Sequence, residues 1–197
     1  GSVEEAIAIL SAAVDHGARA VDVEIESAEA ARPQLEGIRG RALLVLSYHN
    51  FEGTPAVETV YRRMARIPAD AYKIVTTARK PSDTLRVLSL ARSHPRTPMV
   101  MLAMGETGFA SRVLSPIYGG LYTYAAPAAA EGTAAGQVCS RQLRHLYRVE
   151  KLARTAKIYA VIADPIGHSI SPAVHNRAFQ ARRVDAVYVP FLVSPIH

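Results

Sequence analysis

The chain contains one cysteine, Cys139, and no tryptophan. A single cysteine excludes a disulfide framework within the chain and a zinc site built from several cysteines. No secretory leader precedes the first helical pattern, so we expect a reducing, cytoplasmic location. No apolar run is long enough to cross a bilayer, and we therefore expect no membrane span.

Clustered charge is also absent. The formal net charge is +6, but the basic residues are scattered, as in the pairs at 62–63, 79–80 and 182–183. Nucleic-acid-binding surfaces usually show a basic run or interleaved aromatic residues, and neither occurs here. The charge therefore favours anionic small molecules over nucleic acid, and we predict no metal site.

Apolar runs and amphipathic helical patterns alternate along the chain. Five runs predict β-strands, at 21–25, 43–47, 71–75, 99–103 and 121–125. A helix between 3 and 14 ends at Gly17, and another begins at the Thr54 cap with Pro55 in its first turn. Alternation at intervals of about 25 residues predicts an α/β fold with parallel strands, either an open sheet or a (β/α)8 barrel.

Two residues stand out in these strands, and in both architectures chemistry collects where the strands end. His49 follows the run LLVLS, and Lys73 interrupts the apolar run AYKIV. Paired neighbouring strands would bring the two side chains to one rim. A desolvated lysine is the usual covalent partner of a ketone, and Arg112 is a natural clamp for a carboxylate.

Five motifs together resemble the type I 3-dehydroquinate dehydratases: SYHNF, ADAYKIV, MGETGFASR, YTYAAP and EGTAAGQ. The resemblance covers about residues 3–152 and implies a partial (β/α)8 TIM barrel of about five strand-helix units. It implies that Lys73 forms a Schiff base, that His49 is the acid/base residue and that no cofactor is needed. It also implies substrate contacts at Arg112, Thr133 and Gln137, with Thr133 in place of the usual serine.

A second resemblance covers the last forty residues. The string KIYAVIADPIGHSISPAVHNRAF, followed by VDAVYVPFLV, is similar to the opening of shikimate dehydrogenases. It implies one strand-helix-strand unit of the substrate domain, with Ser169 and Ser171 bonded to a substrate carboxylate. NADP would serve the intact dehydrogenase, at a site outside this chain. We predict domains at 1–152 and 153–197, joined as in bifunctional enzymes of chorismate biosynthesis, acting on small molecules.

Both resemblances are incomplete. The dehydratase family has three strands before the one at 21–25, and one of them carries the glutamate that partners the histidine. We therefore expect His49 to lack its glutamate, the chain alone to have little activity, and its open strand edges to favour a homo-oligomer.

Two alternatives remain open. The first is a regulatory pseudoenzyme that binds quinate-like ligands without turning them over. The second is a lysine-dependent aldolase on the same barrel, which would cleave a carbon-carbon bond.

Overall fold

Four parallel strands form the first sheet, in the order β1-β2-β3-β4. The computed structural model describes residues 2–127 and 138–194. The strands are β1 (Ala20–Glu24), β2 (Leu43–Asn50), β3 (Ala71–Thr77) and β4 (Met99–Met104). The helices around them are α1 (Val3–Asp15), α2 (Ile25–Ala30), α3 (Arg32–Glu36), α4 (Val57–Met64), α5 (Pro81–Ser93) and α6 (Phe109–Tyr118). Sequential parallel strands joined by helices confirm the predicted α/β fold.

The two faces of this sheet have different chemistry. Side chains alternate between the faces along each strand. The outer face carries Val21, Leu46, Ile74 and Met101, which pack in one buried cluster with residues of α1 and α5. We call the opposite surface the inner face; it carries, strand by strand, Asp22 and Glu24, then Ser47 and His49, then Lys73 and Val75, then Val100 and Leu102. The inner face therefore carries ionisable side chains on the first three strands and only apolar ones on the fourth.

The predicted fifth strand at 121–125 is wrong. Leu121 donates its N–H to the Met99 carbonyl, but no ladder continues from that bond. The following backbone groups are used elsewhere, because the Tyr124 carbonyl accepts from Arg112 and Ala126 pairs with Cys139 in an isolated bridge. The segment 121–125 therefore bonds to the start of β4 through one residue but forms no strand.

A second unit follows a π-helical turn at Gln142–Tyr147 and a short 3-10 turn at Val149–Lys151. Strand β5 (Lys157–Ala163) precedes helix α7 (Ser171–Ala181), and strand β6 (Ala186–Leu192) follows it and pairs with β5 in parallel. This is the predicted strand-helix-strand unit. Asn176 fastens α7 to β6: its Nδ2 donates to the Tyr188 carbonyl at 2.8 Å, and its Oδ1 accepts from the Tyr188 N–H at 2.9 Å. Both backbone groups of Tyr188 are satisfied by one buried side chain.

The two units share a hydrophobic core. Val113 and Ile117 of α6 belong to the same buried cluster as Val187 and Val189 of β6. None of the helices described at 2–127 and 138–194 is long and apolar enough to span a membrane.

Candidate active site

Lys73 lies in the middle of β3, pointing onto the inner face, and only 8% of its surface is exposed. Its Nζ is 2.6 Å from Asp22 Oδ2 on β1. The small side chain of Ser47 lies between these strands, in register with Lys73 and itself 1% exposed. A buried ammonium needs such a partner, because an unpaired charge is costly in a low-dielectric interior.

His49 lies two residues beyond Ser47 on β2 and pairs with Glu24 of β1 through its Nδ1. Because a carboxylate only accepts hydrogen bonds, this contact assigns the proton to Nδ1 and leaves Nε2 to exchange a proton with a substrate. The ring also stacks on Phe51, with centroids 6.1 Å apart. Asn50 fixes the turn that follows, since its Oδ1 accepts from the N–H groups of Glu52 and Gly53.

Electrostatics favour the ionised form of Glu24. Partial burial tends to raise its pKa, but the hydrogen bond and charge of His49, together with the charge of Lys73, bring the pKa below its ordinary value of 4.5. Glu24 is therefore ionised at neutral pH and is suited to stabilise a positive charge on the imidazole.

The expectation that His49 lacks a glutamate is therefore wrong. The resemblance places the partner glutamate on an earlier strand, whereas here a different glutamate, on β1, pairs with His49. Glu24 is the register partner of Ser47, so its side chain extends over the same face as His49. The signal was present in the sequence, because Asp22 and Glu24 alternate with Val21 and Val23 along one strand. The apolar residues of this run predict the strand, and its acidic residues pair with Lys73 and His49.

Arg112 lies on α6, 2% exposed, and its Nη1 donates to the Tyr124 carbonyl at 3.4 Å. Burial lowers the pKa of this guanidinium. The aromatic ring of Tyr124 faces Lys73 Nζ, 5.3 Å from the ring centroid. Through Tyr124, the predicted carboxylate clamp is therefore linked to the predicted nucleophile.

The remaining predicted site residues fall in other places. Thr133 and Gln137 lie outside the described residues. Ser169 and Ser171 lie at the start of α7, where the Ser171 N–H is 3.3 Å from Ser169 Oγ. Ser169 lines a cavity of about 390 Å³ together with Glu106 and Phe109, which come just before and at the start of α6. The second candidate site thus opens toward the first unit.

Comparisons with known proteins find relatives for both units. The model of the type I 3-dehydroquinase family matches residues 1–154, and that of the shikimate dehydrogenase substrate binding domain matches residues 161–196. The chloroplastic bifunctional 3-dehydroquinate dehydratase/shikimate dehydrogenase of Arabidopsis thaliana is 34% identical over 98% of this chain. This chain spans 33% of the length of that protein.

Single-domain relatives match the first unit. A 3-dehydroquinate dehydratase of Dehalococcoides mccartyi is 34% identical over 151 residues, which make up 75% of this chain and 68% of that protein. A type I 3-dehydroquinate dehydratase from Clostridium difficile, solved with covalently modified comenic acid, has a TM-score of 0.67 at 21% identity. That alignment covers 76% of this chain and 62% of the solved chain.

Proposed function

Because the chain belongs to the type I 3-dehydroquinase family, we propose that its first unit dehydrates 3-dehydroquinate to 3-dehydroshikimate through a Schiff base on Lys73. One observation carries the proposal: a buried lysine with a carboxylate partner shares a sheet face with an Nδ1-paired histidine. The Lys73 amine and the His49 acid/base group are the two components that imine chemistry on a ketone requires.

The chemistry proceeds without any change of oxidation state. Lys73 Nζ attacks the substrate ketone, and the carbonyl oxygen leaves as water to give a protonated imine. The imine withdraws electrons from the neighbouring carbon, so that His49 Nε2 can remove a proton there near neutral pH. The resulting enamine expels the β-hydroxyl, which takes up that proton from His49 and leaves as water. Hydrolysis of the imine then returns the Lys73 amine and releases the conjugated enone.

Arg112 is suited to hold the substrate carboxylate in this scheme. A guanidinium offers paired N–H donors in a fixed plane, which match the two oxygens of a carboxylate. Its burial strengthens such an interaction, because water competes less for the bound anion. We propose that Thr133 and Gln137 contact the substrate hydroxyls.

The second unit is proposed to be the start of a shikimate dehydrogenase substrate domain, in which Ser169 and Ser171 contact a carboxylate. The described part of the second unit does not fit an NADP site, because the turn after β5 contains one glycine, Gly167, and lacks a glycine-rich phosphate loop. We therefore derive no step of the reduction from this chain.

Borohydride trapping tests the dehydratase proposal. The chain is incubated with 3-dehydroquinate and borohydride, and the modified peptide is identified by mass spectrometry. We expect a reduced adduct on Lys73 that disappears in Lys73→Met and persists in Lys80→Met, which removes an exposed lysine. No adduct on Lys73 in the unmodified sequence would overturn the proposal. A new near-ultraviolet enone absorbance would separate dehydration from the carbon-carbon cleavage of an aldolase.

A further inference from the structure

Tyr124 contacts both ends of the proposed substrate site. Its carbonyl accepts from Arg112 Nη1 at 3.4 Å, and its ring centroid lies 5.3 Å from Lys73 Nζ. The residue belongs to the segment 121–125, which bonds to the start of β4 at Leu121 and forms no strand. One residue therefore lies between the amine that would form the imine and the guanidinium that would bind the carboxylate.

Before substrate binds, the Lys73 cation is balanced mainly by Asp22, at 2.6 Å. An ammonium has three N–H donors, but a protonated imine keeps one. Hydrogen bonding to a carboxylate is therefore reduced when the imine forms, whereas attraction to an aromatic face depends on the positive charge alone. The ring of Tyr124 is placed to stabilise the charge in the intermediate as well as in the free enzyme.

Tyr122 supports the ring of Tyr124. The two rings meet edge to face, with centroids 5.6 Å apart and planes at 68°. Burial raises the pKa of Tyr122 to about 12, and a hydrogen bond with Tyr124 and the nearby charge of Asp22 act in the same direction. Tyr122 is thus a neutral phenol that lies beside both Tyr124 and Asp22.

We propose that Tyr124 is a positioning residue of this site, whose ring face holds the cationic nitrogen of Lys73 while its carbonyl holds Arg112. This inference rests on the proposed dehydratase function and deepens it. Because one residue contacts both groups, it contributes to the spacing between the amine and the guanidinium.

The test measures the rate of Lys73 adduct formation with 3-dehydroquinate and borohydride across a range of substrate concentrations. Tyr124→Leu removes the ring face and should lower the maximum rate about five-fold or more. Tyr124→Phe keeps the ring and should stay within about two-fold of the parent sequence. A purely structural role would not predict this rescue by phenylalanine.

Tyr118→Leu is the matched control, because Tyr118 faces another cation, Arg92, with its guanidinium carbon 4.5 Å from the ring centroid. It should leave the trapping rate unchanged. Tyr124→Met also lacks a ring and gives a second measure of the loss if Tyr124→Leu fails to fold, as judged by circular dichroism. Trapping at the parent rate in a folded Tyr124→Leu or Tyr124→Met would overturn the positioning role alone. Absence of any adduct in the parent sequence would overturn both this inference and the proposed function.

Discussion

Glu24 determines which nitrogen of His49 can serve a substrate. The contact with Nδ1 holds one ring orientation and one tautomer, as a second group does in other histidine-based sites. The histidine and its glutamate lie on neighbouring strands, so the sheet register itself sets their geometry. A change at Glu24 should therefore affect proton transfer more than substrate binding.

We predict that Glu24→Gln lowers kcat about 10²-fold and changes KM little, because an amide does not stabilise a positively charged imidazole. The steady-state rate of 3-dehydroquinate dehydration provides the measurement. Glu52→Gln serves as the control, since Glu52 lies in the exposed turn after β2. An unchanged kcat in Glu24→Gln would contradict a catalytic role for the Glu24–His49 pair.

The pH dependence follows from the lowered pKa of Glu24. A carboxylate whose pKa is lower in the folded state contributes stability above its ordinary pKa of 4.5, and this contribution is lost as the pH falls through the lowered value. Stability of the parent sequence should therefore decline below about pH 4.5 more steeply than that of Glu24→Gln. Urea unfolding at several acidic pH values measures the difference, and parallel curves would contradict it.

The site was predicted from the sequence only in part. Lys73 and His49 could be found because a charged or ring side chain interrupts or ends an apolar run, which is an unusual pattern. Asp22 was missed because an acidic residue alternating with valines is the ordinary pattern of a half-buried strand. The link between Tyr124 and Arg112 depends on a backbone carbonyl, and sequence carries no signal for such a contact.

The observed bounds of strands and helices differ from the predicted ones. The runs at 43–47 and 71–75 begin where β2 and β3 begin, but both strands continue further, as far as Asn50 and Thr77. The helix expected at Thr54 begins at Val57 instead, because the Thr54 hydroxyl donates to the Thr77 carbonyl of β3. Local propensity identified these elements, whereas contacts between elements determined where they start and end.

The two hydrogen bonds between Asn176 of α7 and the Tyr188 backbone of β6, which we call the clip, lead to a prediction about stability. Asn176→Ala should lower the free energy of unfolding of the second unit by about 2–3 kcal/mol, because two backbone groups of Tyr188 lose their partners in a buried place. Arg177→Ala, on the exposed side of the same helix, should change it by less than about 0.5 kcal/mol. Urea unfolding followed by circular dichroism compares the two, and equal stabilities would contradict the role of the clip.

Taken as a whole, the described sheet has four strands, where a closed (β/α)8 barrel has eight. These four strands are enough to bring the Lys73 amine, its carboxylate partner and the His49–Glu24 pair onto one face. Alignment of a bound substrate requires more, since a misplacement of about 1 Å can cost about 10²-fold in rate.

We therefore predict that the 197 residues form the Lys73 adduct but turn over 3-dehydroquinate about 10²-fold more slowly than a longer family member does. Comparing initial rates with the Dehalococcoides mccartyi dehydratase, at equal enzyme concentration, provides the measurement. Equal rates would show that the four strands suffice for catalysis.

The position of β1 in the sheet has a consequence for how the protein responds to heat. Among the described strands, β1 has one neighbour, whereas β2 and β3 each have two. Edge elements open at a lower free-energy cost than central ones. On warming, Asp22 and Glu24 would separate from Lys73 and His49 while β2 and β3 remain folded. Activity would therefore be lost at a temperature at which most of the sheet is still folded.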